Sequence, residues 1–428
     1  YIAGHSQSAP SGNAGTSTQG DMILFKMDGA GGVTWGRLFG TNRTEQYDVQ
    51  NQKMGLAIGP QNHIYVGAQS QGGPSNSHVA FNFGPLSTAG EMTNGTTTGK
   101  RFNYTTTDNE SATIVATANH INASNDVMLL MREQSNPVGS NIMLARSADA
   151  TDRTVDYWRG GFNRSSSEDS YNYQGFDIQT DSSENIYIVG STNDSSNGDD
   201  CFMIVKIADD DNFTSVSVTL DKNLTGMGAS RFLSIHIDGN DNIYACGYGT
   251  GTSGKNGGNI MAVLCKFNTS LALQWSVTFT HGGNAPSVAT GVTVDSDGHP
   301  CITGYFTSVD SKIGVGTTVE GFVARLASDA SSNGTSGDIT VENTPTLTVE
   351  DMDLQRWDDA GGNEGNWTVS SISDPTAAGT FTSNAGNTGF AWKDAGPGWA
   401  FQWEGDGSDG DAQSMAEEDY TITTEAGL

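Results

Sequence analysis

One phrase, written again and again, constrains this chain more than any other feature. Asn62-His63-Ile64-Tyr65-Val66-Gly67, Glu184-Asn185-Ile186-Tyr187-Ile188-Val189-Gly190 and Asp241-Asn242-Ile243-Tyr244-Ala245-Cys246-Gly247 are three copies of it. Gly298-His299-Pro300-Cys301-Ile302-Thr303-Gly304 is a fourth, Asp126-Val127-Met128-Leu129-Leu130 a degenerate fifth, and Tyr1-Ile2-Ala3-Gly4 the tail of a sixth. The copies close at positions 4, 67, 130, 190, 247 and 304, a period of 57 to 63 residues. A repeat of that kind is one supersecondary unit that cannot bury its apolar surface alone, so the copies must stack on one another.

Each copy carries strand-like pieces in a fixed order. An upstream first strand, such as Gly175-Phe176-Asp177-Ile178, Leu233-Ser234-Ile235-His236-Ile237 or Gly291-Val292-Thr293-Val294, precedes the phrase, which is the second. The third is Met22-Ile23-Leu24-Phe25-Lys26, Ile142-Met143-Leu144-Ala145-Arg146, Phe202-Met203-Ile204-Val205-Lys206, Val263-Leu264-Cys265-Lys266 or Phe322-Val323-Ala324-Arg325, and a Lys or Arg closes it in five of six copies. The fourth is anchored by an aromatic residue in Val33-Thr34-Trp35, Asp156-Tyr157-Trp158 and Leu273-Gln274-Trp275. Four strands per unit at this period is how propeller blades read, whereas β-helical solenoids use much shorter repeats and strung-out sandwiches need roughly 100 residues each. The predicted fold is therefore all-β: a β-propeller of about six four-stranded blades over residues 1–345, followed by a small C-terminal β-rich module over 346–428, Trp-rich, or a linker to further domains.

Between first and second strands stand Asp181-Ser182-Ser183-Glu184-Asn185, Asp238-Gly239-Asn240-Asp241-Asn242 and Asp295-Ser296-Asp297-Gly298. Asp, Asn and Gly suit a tight turn because they tolerate positive φ and cap their own backbone. The same oxygens offer a second reading as calcium ligands, but they are few for that ion.

With 49 Asp and Glu against 20 Lys and Arg, the formal charge is −29, which repels a polyanion from most of the surface and argues against nucleic acid as a partner. Such acidity suits a saline, extracellular setting. Apolar runs such as Phe202-Met203-Ile204-Val205 are far short of the roughly 20 residues of a membrane-spanning helix, so no membrane insertion is expected. The chain opens mid-repeat without an initiator Met, and further residues upstream are expected. Cys201, Cys246, Cys265 and Cys301 show no metal-ligand spacing and sit in apolar strands. No disulfide is predicted, with hairpin register expected to hold Cys246 and Cys265 several residues apart.

On these residues the chain resembles the seven-bladed propeller-type repeats marked by a D-x-x-G-N-[IV]-Y-[VI]-x-G phrase, a Lys-ended strand and a Trp strand. The resemblance covers about residues 1–345, with six copies present and the second and third the most divergent. Repeats of this type occur in bacterial secreted and surface proteins and in virion structural and tail-fibre proteins of marine phages. The resemblance implies a virion or extracellular location, other structural subunits as partners and a host-surface glycan as ligand.

A search for chemistry finds no recognisable set. His63 and His299 replace turn residues, His236 lies in a strand, and His5, His78, His120 and His281 are scattered. There is no HxH, HExxH, GxSxG, phosphate loop or dinucleotide fingerprint. Asp28-Gly29-Ala30-Gly31-Gly32-Val33-Thr34-Trp35 departs in spacing from the sialidase-type Asp box and reads as a hairpin turn. No catalytic residue, cofactor residue or firm metal ligand is assigned.

Five of the eight Trp fall in the last 75 residues, and Trp392, Trp399 and Trp403 are candidates for stacking on sugar rings, with a core or interface role as the plainer reading. Asp406, Asp409 and Asp411 form the run that most resembles a calcium loop, without EF-hand spacing. Asp338-Ile339-Thr340-Val341 reads as the sixth repeat's fourth strand, and Thr346-Leu347-Thr348-Val349 is expected to pair with Tyr1-Ile2-Ala3 and close a six-bladed ring. The sequence thus points to a non-enzymatic virion component, a phage tail fibre or appendage presenting a propeller surface for assembly or host recognition. The alternatives are a secreted propeller enzyme acting on polysaccharide, glycosidase or lyase, and a bacterial surface adhesin.

Overall fold

A computed structural model describes residues 1–6, 21–28, 33–39, 45–46, 55–71, 78–89, 99–105, 114–133, 142–147, 158–164, 172–193, 200–208, 217–251, 260–281, 285–308, 318–329, 334–336, 339–343, 347–352, 354–358, 366–372 and 400–404. Among them the fold is all-β and propeller-like: small antiparallel sheets, each wound from successive hairpins. No helix among the described residues is long and apolar enough to cross a membrane.

The chain divides into two compact units, one formed by residues 1–186, 207–218 and 353–388, the other by 187–206, 219–352 and 389–428. In the first, Ile2–Ser6, Asp21–Met27 and Val33–Phe39 make a three-stranded sheet in chain order. The second repeat runs Ile64–Gln71, His78–Leu86, Gly99–Thr105, with Gly55–Ile58 as first strand. The third runs Ile114–Ile121, Val127–Glu133, Ile142–Ser147, Trp158–Arg164. In the second unit the fifth repeat is complete, with Ser230–Ile237, Ile243–Thr250, Ile260–Phe267 and Leu273–His281 in order, and the sixth begins Ser287–Val294, Pro300–Ser308, Thr318–Arg325.

Alternation along these strands supplies the core. In the fifth repeat Ile243, Ala245, Val263 and Cys265 face one way and join Phe202, Phe232 and Phe267, with Phe202 and Phe232 stacked at 4.4 Å. Tyr244, Cys246, Ala262 and Leu264 face the other way and join Phe279, Phe306 and Phe322, with Phe306 and Phe322 at 4.6 Å. A sheet buried on both faces must be apolar at every position, which is why the third strands read as unbroken apolar runs. All four cysteines are free thiols, as expected, but for a different reason: Cys265 lies directly opposite Ala245, one residue from Cys246, and the two thiols point to opposite faces. Burial, and then Cys246, push the Cys265 thiol well above its ordinary range, which leaves it inert.

The basic residue that closes five of the third strands has a structural cause. In the first, fourth and fifth repeats a Lys lies over the Tyr of the repeated phrase: Lys26 over Tyr1 at 5.6 Å, Lys206 over Tyr187 at 5.2 Å and Lys266 over Tyr244 at 5.1 Å. Lys26 and Lys206 also donate to a carbonyl in the following repeat, Thr88 and Thr269. Where Met128 or Cys301 stands in place of Tyr, the opposite residue is Arg146 or Arg325, and the guanidinium pairs with the turn carboxylate, Asp126 or Asp295.

The strands after residue 345 add to the outer edges of these same sheets, as does the one before them. Ile339–Asn343 pairs with the fifth repeat's Leu273–His281, and is not the sixth repeat's fourth strand as expected; its Ile339 and Val341 pack with Phe279. Ala400–Glu404 stands beside Thr318–Arg325 instead. The expected pairing of 346–349 with the first residues is likewise corrected: Thr348–Asp351 pairs with Lys222–Thr225, where Lys222 meets Asp351 and Thr225 donates to Glu350 at 3.2 Å. In the first unit Leu354–Asp358 extends the third repeat and Asn366–Ile372 the second. Unpaired ladder groups on a fourth strand are satisfied by adding a strand, and residues 339–372 do so for the fifth, fourth, third and second repeats in turn.

Candidate functional site

The two ends of the repeat sheets differ. At the end where first strand turns into second, one device recurs. Asp181 Oδ1 accepts from the amides of Ser183 and Asn185 at 3.0 and 2.9 Å, Asp238 Oδ1 from those of Asn240 and Asn242 at 2.9 and 2.9 Å, and Asp295 Oδ1 from those of Asp297 and His299 at 3.0 and 2.9 Å. The fourth residue of each turn is left-handed, with φ of 62° at Glu184, 59° at Asp241 and 83° at Gly298. This is a type I turn closed by a bulge residue, so the acidic clusters serve the backbone.

Asp295, Asp297 and His299 come closest to a metal site among the described residues, with donor atoms within 4.8 Å of one another. Arg325 already stands there, giving Nε to Asp295 at 2.6 Å and Nη2 to His299 Nδ1 at 2.7 Å, with Asp297 at 3.7 Å. Burial alone would raise the Asp295 carboxyl, but the His299 amide, the Arg325 guanidinium and the Asp297 amide together hold it below the usual carboxylate range.

At the opposite end the copies diverge. In the fifth repeat Arg231 lies opposite Tyr248 and Phe232 opposite Gly247, after which the register slips before Ser234. In the sixth Val288 lies opposite Tyr305 and Ala289 opposite Gly304, with the slip before Gly291. The bulge swings a first-strand carbonyl over the glycine: a Cβ on Gly247 would fall 1.9 Å from the Arg231 oxygen, and one on Gly304 2.1 Å from that of Val288. In the fifth and sixth repeats glycine at the end of the phrase is thus a close-approach requirement, and the bulge beside it aims the neighbouring side chains.

Those side chains form a polar row. Arg231 Nη2 donates to Asp200 Oδ2 at 3.0 Å, with both groups part-exposed. Tyr248 is the cross-strand neighbour of Arg231. Burial first, and Tyr248 second, push the Tyr305 phenol above its ordinary value of 10.0. The floor is tied down by Thr250, whose amide donates to Ala229 at 3.0 Å and whose carbonyl accepts from Gly228 at 2.9 Å, and by the Ser230 amide donating to the Asp200 carbonyl at 3.1 Å.

The Tyr305 phenol is part-exposed and protonated at neutral pH, so it has a proton to give, although its raised pKa makes it a weaker acid than a free tyrosine. Two phenol rings offer flat apolar faces and polar tips to a sugar, and a guanidinium offers forked donors to carboxylate or hydroxyl oxygens. Sequence reasoning missed this row because it sought groups shared among copies. The signal was the reverse, an aromatic after the closing glycine in two successive copies only, where His5, Ala68, Met131 and Ser191 stand in the others.

Of the residues singled out from sequence, Trp392, Trp399, Asp406, Asp409 and Asp411 lie outside the described residues, and Trp403 is described only as backbone, opposite Gly321. His236 and His299 are at the turn end of their repeats, away from the polar row, and His120 is at the turn end of the third repeat.

No family model and no curated protein matches the chain. Among solved structures it is similar to the polysaccharide lyase Uly1, with a TM-score of 0.37 and 11% identity over 79% of this chain and 85% of that one. It is also similar to an exo-1,5-alpha-L-arabinanase from a bovine ruminal metagenomic library, with a TM-score of 0.32 and 9% identity over 66% of this chain and 97% of that one. The expectation of a non-enzymatic virion component is corrected here: the structures it meets are a lyase and an arabinanase.

Proposed function

We propose that the chain is an enzyme that cleaves polysaccharide, its six repeats forming the blades of a propeller and its strand-start end in the fifth and sixth repeats forming the active surface. The observation that carries the reading is the set Arg231, Tyr248 and Tyr305 at the strand-start end of two successive repeats, where Tyr248 stands opposite Arg231 and bears electrostatically on the part-exposed Tyr305 phenol. Breaking a glycosidic bond by hydrolysis or elimination requires a proton on the departing oxygen, and Tyr305 is placed as that donor. Tyr248 supplies a stacking face and Arg231 orients the chain. Polysaccharides are met outside the cell, in keeping with the acidic composition.

The test is a screen of the purified chain against neutral and acidic polysaccharides, scoring new chain ends. Cleavage of at least one polymer is expected, with Tyr305→Phe folded as the parent and slower by about 100-fold or more, the scale of a lost general acid. Cleavage of none, or a Tyr305→Phe variant as fast as the parent, overturns the reading.

A further inference from the structure

The arrangement of Arg231 bears on what kind of sugar the row takes, an inference that rests on the reading above. Its ion pair among the described residues is with a single oxygen of Asp200, made by Nη2 alone. A guanidinium carries five N–H donors in a planar fork suited to a bidentate carboxylate, so this contact leaves most of the fork unspent. The side chain retains 24% of its accessible surface, and its cross-strand neighbour is Tyr248 rather than a second acid. The equivalent position in the sixth repeat is Val288, which the blade tolerates with the same bulge and the same glycine, so the fold itself does not require a cation there. A positive group kept part-open on a chain of formal charge −29, where the architecture is content with an apolar residue, is a recognition element for an anion.

We propose that Arg231 receives the carboxylate of a uronic acid unit, and that the substrate class is a uronate-bearing polysaccharide. Asp200 holds the guanidinium in place while the site is empty and is partly replaced by the sugar carboxylate when it is filled. Tyr248 and Tyr305 then flank the ring that carries this carboxylate. The overall negative charge opposes a polyanion at long range, so binding strengthens as salt rises from low ionic strength, because the repulsion is screened over about 10 Å at 0.1 M while the short contact at Arg231 is screened less.

The experiment measures binding of the full chain to polygalacturonate, alginate and glucuronan, each beside its carboxyl-methylated form, which keeps the sugar skeleton and removes the charge. At least one acid form is expected to bind, with methylation costing tenfold or more in affinity. Arg231→Gln should erase that preference. Asp200→Asn should tighten acid binding several-fold by removing the competing carboxylate, a gain that a merely structural Arg231–Asp200 pair does not produce. Arg231→Lys serves as the folded control, keeping the charge but not the fork, and is expected to fall between parent and Arg231→Gln. Equal affinity for acid and methylated forms, or an acid preference unchanged in Arg231→Gln, overturns the assignment of substrate class while leaving polysaccharide cleavage standing. Failure to bind or cleave any polysaccharide, charged or neutral, overturns both.

Discussion

At one end of the fifth and sixth repeats, Asp238 and Asp295 make the same two hydrogen bonds to the amides two and four residues ahead. At the other end, one register position holds Tyr248 and Tyr305, while the remaining copies carry His5, Ala68, Met131 and Ser191 there. The first end is uniform because every hairpin needs its turn closed, and a substitution there costs each copy alike. The second end is free to differ, since the bulge and glycine settle the backbone whatever side chain follows. In a repeat protein, therefore, a residue present in all copies speaks for the fold, and one that breaks the pattern in adjacent copies is a candidate for function.

The largest expected effect on this contrast comes from Gly247→Ala. A methyl group placed 1.9 Å from the Arg231 oxygen forces the bulge to shift, so a stability loss of about 3 kcal/mol is expected. Because the same bulge carries Arg231 and faces Tyr248, turnover should fall as well, measured at a temperature where the variant is folded. A Gly247→Ala variant with the parental denaturant midpoint would mean that glycine is not required there.

Asp238→Ala comes next. It removes the acceptor for two backbone amides and for Asn242 Nδ2, and a loss of about 2 kcal/mol is expected with turnover per folded molecule unchanged. Reduced turnover with unchanged stability would reverse the roles given to the two ends.

Smallest near neutrality is the pH dependence of stability from the turn end. His120, bonded to Thr180 at 2.9 Å, is lowered to about 4 by burial, partly offset by Asp177, and His236 is lowered by burial, partly offset by Asp238. With folded values below the unfolded 6.5, the unfolded chain takes protons that the folded chain refuses. Stability is therefore full above about pH 6.5 and declines as pH falls toward about 4. Thermal melts should show that decline, and His120→Gln should flatten it. Tyr305 is raised by burial, and then by Tyr248, so it keeps its proton to higher pH than a free tyrosine.

Much of the fold was legible because a period of 57 to 63 residues admits few architectures, and because the apolar third strands and acidic turns each have one local cause. The tail was not legible. Thr348–Asp351 and Leu354–Asp358 are short strands whose partners, Lys222–Thr225 and Gly160–Arg164, lie more than a hundred residues away, and alternation names a strand without naming the edge that receives it. The polar row escaped for a related reason: Tyr248 and Arg231 are 17 positions apart in sequence and meet only through the bulged register.

The most direct test of the account is where a polysaccharide fragment touches the folded chain. Hydrogen-exchange footprinting with a fragment of the polymer that the screen identifies should show protection at residues 230–231, 247–250 and 304–306, with no change at 238–242 and 295–299. Protection confined to 238–242 and 295–299 would contradict it, placing the working surface at the turn end.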